Sequence, residues 1–497
     1  MITKFREGLK NIEARTFEYI NKIINENGRL TGILFFIYLI AFSSILRADF
    51  NYADDIMRKY IGYHGWMDWS RWTTTILSNV MHADWDLIDI SPFPQIIACL
   101  FLAVSSLMLV KVFSKTGKVS FMNLLASLAV GLCPYFFGCI SFKYDSPYMA
   151  MSIMVSILPF LFRKSGYKKF YIISLICLLL MITTYQTSSG IYPTIVVFLA
   201  VDMFCEDEEL KDIGKFIGVS MLAFVSALLI FAFILMQPGD TAIVPVNRIL
   251  STIVYRYIDM YRLVAVDFRK LWLFFIGLAG LFYLYEIFCE TKRNKIVSVL
   301  LGCAASFLSS VFVWNVMLIM SRDSIDARGM LGLGTLIAII FIKLSCLSRP
   351  TLSKLCFLIV NWCFFVYALA YGNAMKEQGR YTDFRMQVLI SDLNTLDYNE
   401  KELKCLGVTG DIGYSPVITK MNNHYDYVRK LLSYNVQDDP SFLFGEGFYL
   451  YNYFGLNTRF TYDEVLDFEK LNLPLVIDNM YETVYANDEY VYVKLKK

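Results

Sequence analysis

The chain has 497 residues, of which 56% are apolar and only 18% charged, and its mean hydropathy is +0.48. Soluble proteins carry about 25% charged residues, so a soluble globular enzyme is excluded; 16% aromatic content with modest Gly and Pro excludes disorder and collagen. A net charge of +2 points to no nucleic-acid partner, which leaves an integral membrane protein with a polar appendage.

The first 29 residues are polar, and their apolar positions (Phe5, Leu9, Ile12, Phe17, Ile20, Ile23, Ile24) recur at helical spacing. They predict a cytoplasmic amphipathic helix at the membrane surface. Apolar spans follow at about 30–46, 93–113, 119–140, 147–162, 170–187, 190–204, 216–236, 270–289, 296–320, 330–347 and 354–372. Eleven transmembrane helices are therefore expected. With the N-terminus inside, the cytoplasmic segments hold 21 Lys and Arg, whereas the short outer loops hold only Lys143, Arg322 and Arg328. The odd count puts two long loops (47–92 and 237–269) and the tail from 373 on the outer side.

The tail has 14 tyrosines and strand-like runs at Cys405–Thr409, Leu473–Asp478 and Tyr490–Leu495, with a helical candidate at Asn423–Tyr434. A small α/β or α+β domain over 373–497 is expected. Ten of the eleven cysteines lie in or beside apolar segments and are read as packing residues, without a C-x-x-C pair.

Polar residues concentrate in the outer segments. In the first loop Asp49, Asp54 and Asp55 follow the first span within nine residues. Neighbours on a helix point about 100° apart, so Asp54 and Asp55 cannot share a direction. One is expected to face a cavity while the other caps a helix over 56–61 or binds Arg58; a double N-cap is the purely structural alternative. Trp66, Trp69 and Trp72 are spaced for one helical face, either an interfacial belt or a wall for a sugar ring. Lys143 and Asp145 share a tight turn; they suit an ion pair, and Lys143 alone suits a phosphate. Over 245–268, Arg248, Arg256, Asp259 and Arg262 fall on one side of a helix and apolar residues on the other, as in an interfacial helix. Arg322 and Arg328 add cations in the loop 321–329.

Charges within the spans are nearly absent, with Asp202 and Glu286 close to cytoplasmic ends, and all three histidines lie outside the spans. This disfavours an ion-coupled transporter, a lipid-linked oligosaccharide flippase and a membrane acyltransferase with an intramembrane His. A non-catalytic polysaccharide assembly protein stays open. The pattern of outer carboxylates and cations suits sugar transfer from a lipid-linked phosphate. A carboxylate would take the acceptor proton and cations would stabilise the departing phosphate.

Particular stretches carry a resemblance: Ala53-Asp54-Asp55, Gly62-Tyr63-x-Gly65-Trp66, Ser91-Pro92-x-Pro94 and Phe142-Lys143-Tyr144-Asp145-Ser146-Pro147-Tyr148-Met149. In this order the chain resembles the GtrII-type glucosyl transferases, within the GT-C class of membrane glycosyltransferases, over most of 30–372. The resemblance implies a GT-C-like catalytic domain over 30–372 in the bacterial inner membrane. It also implies an undecaprenyl-phosphate glucose donor and a surface-polysaccharide or lipid-linked glycan acceptor such as O-antigen. It places the catalytic carboxylate at Asp54 or Asp55. Asp54 is expected as general base, with Asp55 orienting it or binding a divalent metal, the one cofactor considered. Lys143, Arg256, Arg322 and Arg328 are expected at the phosphate, with Asp145, Tyr63 and Trp66 as further substrate contacts. Family members often carry Gly-Arg-Pro late in the first loop; here the stretch is Trp69-Ser70-Arg71-Trp72, which leaves Arg71 as a candidate without its flanking Gly and Pro.

Overall fold

The computed structural model describes residues 27–114, 119–237, 243–321, 327–346, 351–396, 405–422, 432, 450, 454–455 and 468–497. Most of the expected N-terminal amphipathic helix, the candidate Asn423–Tyr434 and Arg322 lie outside these residues.

Among the described residues, ten helical segments are long and apolar enough to cross a membrane. They are α1 (Asn27–Ala48), α4 (Phe93–Phe113), α7 (Ser146–Ser165), α8 (Tyr167–Thr184), α9 (Gln186–Cys205), α10 (Leu210–Leu235), α12 (Lys270–Glu290), α13 (Lys295–Phe312), α14 (Ala327–Ser345) and α15 (Thr351–Asn394). A bent pair, α5 (Phe121–Leu132) and α6 (Pro134–Ser141), turns by 51° at Cys133 and makes eleven if counted as one span. Pro134 causes the break, because it lacks the N–H that would continue the ladder. Between the spans lie three further helices, the short α2 (Asp55–Ile61) and α3 (Trp72–His82) and the 19-residue α11 (Ile249–Asp267).

The bundle packs α4 on α7, α8 on α10, α9 on α13 and α12 on α15. Helix α14 is its centre, with 83% of its apolar window buried, whereas α10, α12 and α13 are only 17–28% buried and carry their apolar faces outward. Helices α1 and α15 cross closely: a Cβ at Gly372 would collide with the backbone of Ser44 and Ile45, so only glycine fits there.

Two expectations are corrected. Helix α15 does not stop at 372 but runs unbroken to Asn394. The apolar run ends where the helix leaves its apolar surroundings, not where the helix ends. Asp202 and Glu286, read from sequence as acids that can snorkel or cap at cytoplasmic helix ends, turn inward instead: the Asp202 carboxylate meets Lys343 Nζ at 2.6 Å, and Lys343 and Glu286 are both buried nearby. Within the spans Asp202 and Lys343 thus neutralise one another.

After α15 come β1 (Cys405–Gly410), a short helix α16 (Pro416–Asn422), β2 (Leu475–Asp478), β3 (Glu482–Ala486) and β4 (Tyr490–Leu495). The strands form one mixed sheet in the order β1-β4-β3-β2, with β1 parallel to β4 and the other pairs antiparallel. The three expected strands are present, and β3 was missed. The sheet does not stand apart. Leu406, Val484, Val491 and Val493 share one buried cluster with Met386 and Leu389 of α15 and with Ile56 and Met57 of α2. The helix that Asp54 caps and Asp55 opens is therefore clamped between the bundle and the sheet.

Candidate active site

Helix α2 has seven residues, about two turns. Asp54 sits at its N-cap without making a capping hydrogen bond, and Gly62 ends it in the left-handed conformation (φ 64°) that a Cβ would strain. The chain before it is itself unusual, with Asp49 and Ala53 both at positive φ. Asp55 holds this backbone in place. Its Oδ2 accepts from the Tyr52 N–H and from the Lys143 N–H, both at 3.0 Å, and the side chain is fully buried. Burial, with the nearby Asp145 charge adding to it, pushes the Asp55 carboxyl up to about 8, while the Lys143 and Tyr52 N–H groups act the other way. Asp55 therefore ties two loops together and does not line the cavity beside it. This removes the geometric basis for Asp55 as a metal ligand in that cavity. Among the described residues, no group of three or more His, Cys, Asp and Glu is gathered to hold a metal ion.

Asp54 points the other way. It is 43% exposed and lines a cavity of about 470 Å³. Four arginines (Arg58, Arg71, Arg256, Arg328) and two aspartates (Asp54, Asp145) share the wall, an excess of two positive charges among the lining residues. The rest of the wall is aromatic or thioether-rich: Tyr63, Trp66, Trp69 and Tyr185 with Met57, Met149, Met317 and Met320. Such a lining can take the face of a sugar ring while the arginines meet an anion.

Each arginine is set by a different element. Arg58, on α2, is buried. Its Nε lies 3.1 Å from Asp145 Oδ2 and its Nη2 3.6 Å from Asp54 Oδ2, and its guanidinium lies over the Trp66 ring at 4.3 Å. Arg71, at the start of α3, donates from Nε to Gln186 Oε1 (3.3 Å) and stacks on Tyr185 at 4.8 Å. Gln186 in turn donates to the Trp69 carbonyl (2.7 Å). Burial, and then the charges of Arg328 and Arg58, disfavour the cationic form of Arg71, against the pull of Tyr185 and Asp145. A guanidinium stays charged even so, and an incoming anion would relieve it. Arg256 is buried on the inner face of α11 and donates to the Met317 carbonyl (2.7 Å). Arg328 precedes the core of α14 and lies over Phe142 at 5.2 Å.

Of the expected site residues, the cavity gathers Asp54, Tyr63, Trp66, Arg71, Asp145, Arg256 and Arg328. Lys143 is not on its wall. It is buried, with Nζ 2.6 Å from Asp49 Oδ1, 2.9 Å from Asn51 Oδ1 and 3.9 Å from Asp89 Oδ2, so its charge is already matched by acids. Asp145 does not orient Lys143; it accepts from Trp66 Nε1 (2.5 Å) and holds Arg58. The three tryptophans do not share one helical face, because the chain makes only a single turn over Met67–Trp69 and then reverses at Ser70 (φ 56°). Trp66 is buried against Tyr148, Trp69 lines the cavity, and Trp72 donates to the Leu235 carbonyl (2.7 Å).

Helix α11 also differs from expectation. Arg256, Met260, Val264 and Asp267 form its buried face, while Leu250, Val254 and Ile258 are exposed. Of this face only Arg256 reaches the cavity wall, while Met260 and Val264 pack into the core and Leu250, Val254 and Ile258 look away from the protein. Arg262 is exposed and pairs with Asp259 at 3.2 Å. The residues that sequence reasoning missed are Arg58 as a wall residue and the Tyr185–Thr187 corner. The polar break at Tyr185–Gly190 between two apolar spans was the signal for the latter.

The comparisons with known proteins bear on this geometry. A protein of Salmonella phage P22, described as an uncharacterized 55.3 kDa protein in the gtrB 5' region, is 25% identical over 197 residues. That match covers 38% of this chain and 39% of the phage protein's length. The family model for glucosyl transferase GtrII matches residues 43–339, which include α2, the 142–149 turn, α11 and Arg328. With well over half its length matched, and a charged, aromatic-lined cavity inside the matched region, the chain belongs to the GtrII glucosyl transferase family.

Proposed function

We propose that the protein transfers a hexose, glucose by family likeness, from a polyprenyl-phosphate donor to a bacterial surface glycan such as O-antigen. The transfer takes place on the extracytoplasmic face of the inner membrane. The observation that carries this reading is one exposed carboxylate, Asp54, in a cavity whose other charges are dominated by arginine. In the proposed step, Asp54 takes the proton of the acceptor hydroxyl. The acceptor oxygen attacks the anomeric carbon, the bond from that carbon to the phosphate oxygen breaks, and the polyprenyl phosphate leaves with the electron pair. Arg71, Arg256 and Arg328 meet the charge that develops on the phosphate. A single displacement inverts the anomeric centre. It suits a cavity whose second carboxylate, Asp145, is already committed to Arg58 and Trp66. The apolar row of α11 supports a route for the polyprenyl chain beside the phosphate. The sheet packed on α2 supports a role for the tail in acceptor recognition.

The test is transfer from synthetic polyprenyl-phosphate glucose to host polysaccharide in membranes carrying wild type or Asp54→Asn at matched expression. Asparagine keeps the shape and removes the base, so a loss of about 10²–10⁴-fold is expected. Near-full activity in Asp54→Asn would remove it as the base.

A further inference from the structure

We propose that Asp145 is a positioning residue that acts on Asp54 through Arg58. The proposal rests on the reading of Asp54 as the base.

Three charges alternate in a row. Asp145 is buried; its Oδ1 accepts from Arg58 Nη2 at 3.3 Å and from Trp66 Nε1 at 2.5 Å, and its Oδ2 lies 3.1 Å from Arg58 Nε as an ion-pair contact. Arg58 is equally constrained. Besides Asp145 it has the Trp66 ring against its face and donates from Nη1 to the His64 carbonyl. Its remaining contact is Asp54, at 3.6 Å, within ion-pair range but too long for a hydrogen bond. A general base needs a lone pair free to reach the acceptor hydroxyl. Asp145 draws the guanidinium away from Asp54 and balances most of its charge, so Arg58 orients the base without occupying it. Trp66 contributes twice, as the donor that fixes Asp145 and as the plate under Arg58. This gives the Phe142–Met149 turn a function that does not require Asp145 to touch substrate.

The charged and titratable groups around Asp54 are Arg58 and Tyr63 from its own loop, and Asp145, Arg71, Arg256 and Arg328 from the other walls. Asp55 faces away. Among these, Asp145 and Arg58 make opposite contributions, and that yields a signature that mere structural damage would not.

The experiment measures the pH dependence of kcat and the donor KM for full-length protein in membranes, with polyprenyl-phosphate glucose and host polysaccharide. The variants are Asp145→Asn, Arg58→Gln, the double variant and Asp54→Asn. Removing the Asp145 charge should lower kcat and move the acid limb of the profile down by about 1 pH unit, with the donor KM little changed. Removing the Arg58 charge should move the limb up. The double variant restores the charge balance and should return the limb close to wild type. Limbs that stay put in both single variants, with Asp54→Asn inactive, would overturn the positioning role and leave the base assignment standing. An active Asp54→Asn would overturn both. If Asp145→Asn fails to accumulate, Arg58→Gln and the double variant decide: an acid limb that does not rise in the former and return in the latter overturns the proposal.

Discussion

Asp54 and Asp55 are neighbours in sequence with opposite surroundings. The turn of about 100° between them sends one carboxylate to the cavity and the other between two backbone N–H groups. A buried carboxyl held at about 8 keeps its proton in the folded state at pH values where the unfolded chain has lost it. Folding stability from this group therefore declines as pH rises from about 4 to 8, and the full loss is present above that window. Asparagine resembles the protonated acid and can still accept both N–H bonds through its carbonyl. Asp55→Asn should thus retain transfer activity and should flatten the fall in melting temperature between pH 6 and pH 9 in detergent. A loss of activity as large as that of Asp54→Asn would show that Asp55 does chemistry after all. The divergence of the pair was legible in the sequence, because helical geometry forces it. Which aspartate faced the cavity was not legible, because that is set by the Lys143 N–H, 88 residues away.

Helix α15 and the sheet show how an element links bundle and tail. Arg385, in the polar half of α15, is almost fully buried. It donates from Nη2 to the carbonyls of Tyr481 and Lys496, both at 2.7 Å, and from Nη1 to Tyr381 Oη at 2.8 Å. One side chain thus fastens the helix to the start of β3 and the end of β4. Arg385→Met keeps much of the volume but leaves the Lys496 carbonyl without this donor, while the Tyr481 carbonyl keeps the Lys496 N–H; this should cost about 1–3 kcal/mol of sheet docking. Hydrogen exchange across Glu482–Leu495 should accelerate accordingly, while exchange in α4 and α7 stays slow. Unchanged protection in the strands would mean that the apolar cluster alone holds the sheet. An arginine thirteen residues beyond the expected end of the span gave no sequence cue, because hydropathy reports contact with apolar surroundings and not helicity. Strand β3 escaped notice for a related reason: its five residues open on Glu482, a charge that reads as loop until the fold buries it.

At the scale of the whole molecule, the span pattern was the most legible feature. Each run of about 20 apolar residues can satisfy its backbone only as a helix, so the eleven expected spans correspond to the ten segments and the bent pair. The cavity was legible only in its ingredients. Its walls come from α2, the first loop, the 142–149 turn, the Tyr185 corner, α11 and the start of α14, and no local pattern announces that these converge. Lys143 and Arg256 show what local reasoning can and cannot do: both were expected at the substrate phosphate, yet Lys143 is matched by acids off the wall while Arg256 lines it. Two independent constraints bear on the proposed orientation. The packing of α2 against β4 requires the first loop and the sheet to lie on one side of any membrane the bundle spans. The excess of Lys and Arg in the alternate connections supports the proposal that the cytoplasm lies on the other side. In a background without the native cysteines, Asp84→Cys in the first loop and Asp488→Cys in the β3–β4 turn should both react with a membrane-impermeant maleimide in intact spheroplasts. Lys292→Cys, between α12 and α13, should react only after permeabilisation. Labelling of Lys292→Cys alone in intact spheroplasts would invert the topology and put the proposed chemistry in the cytoplasm. Labelling of Asp84→Cys without Asp488→Cys would contradict the shared cluster itself, since two elements packed core to core cannot be separated by a bilayer.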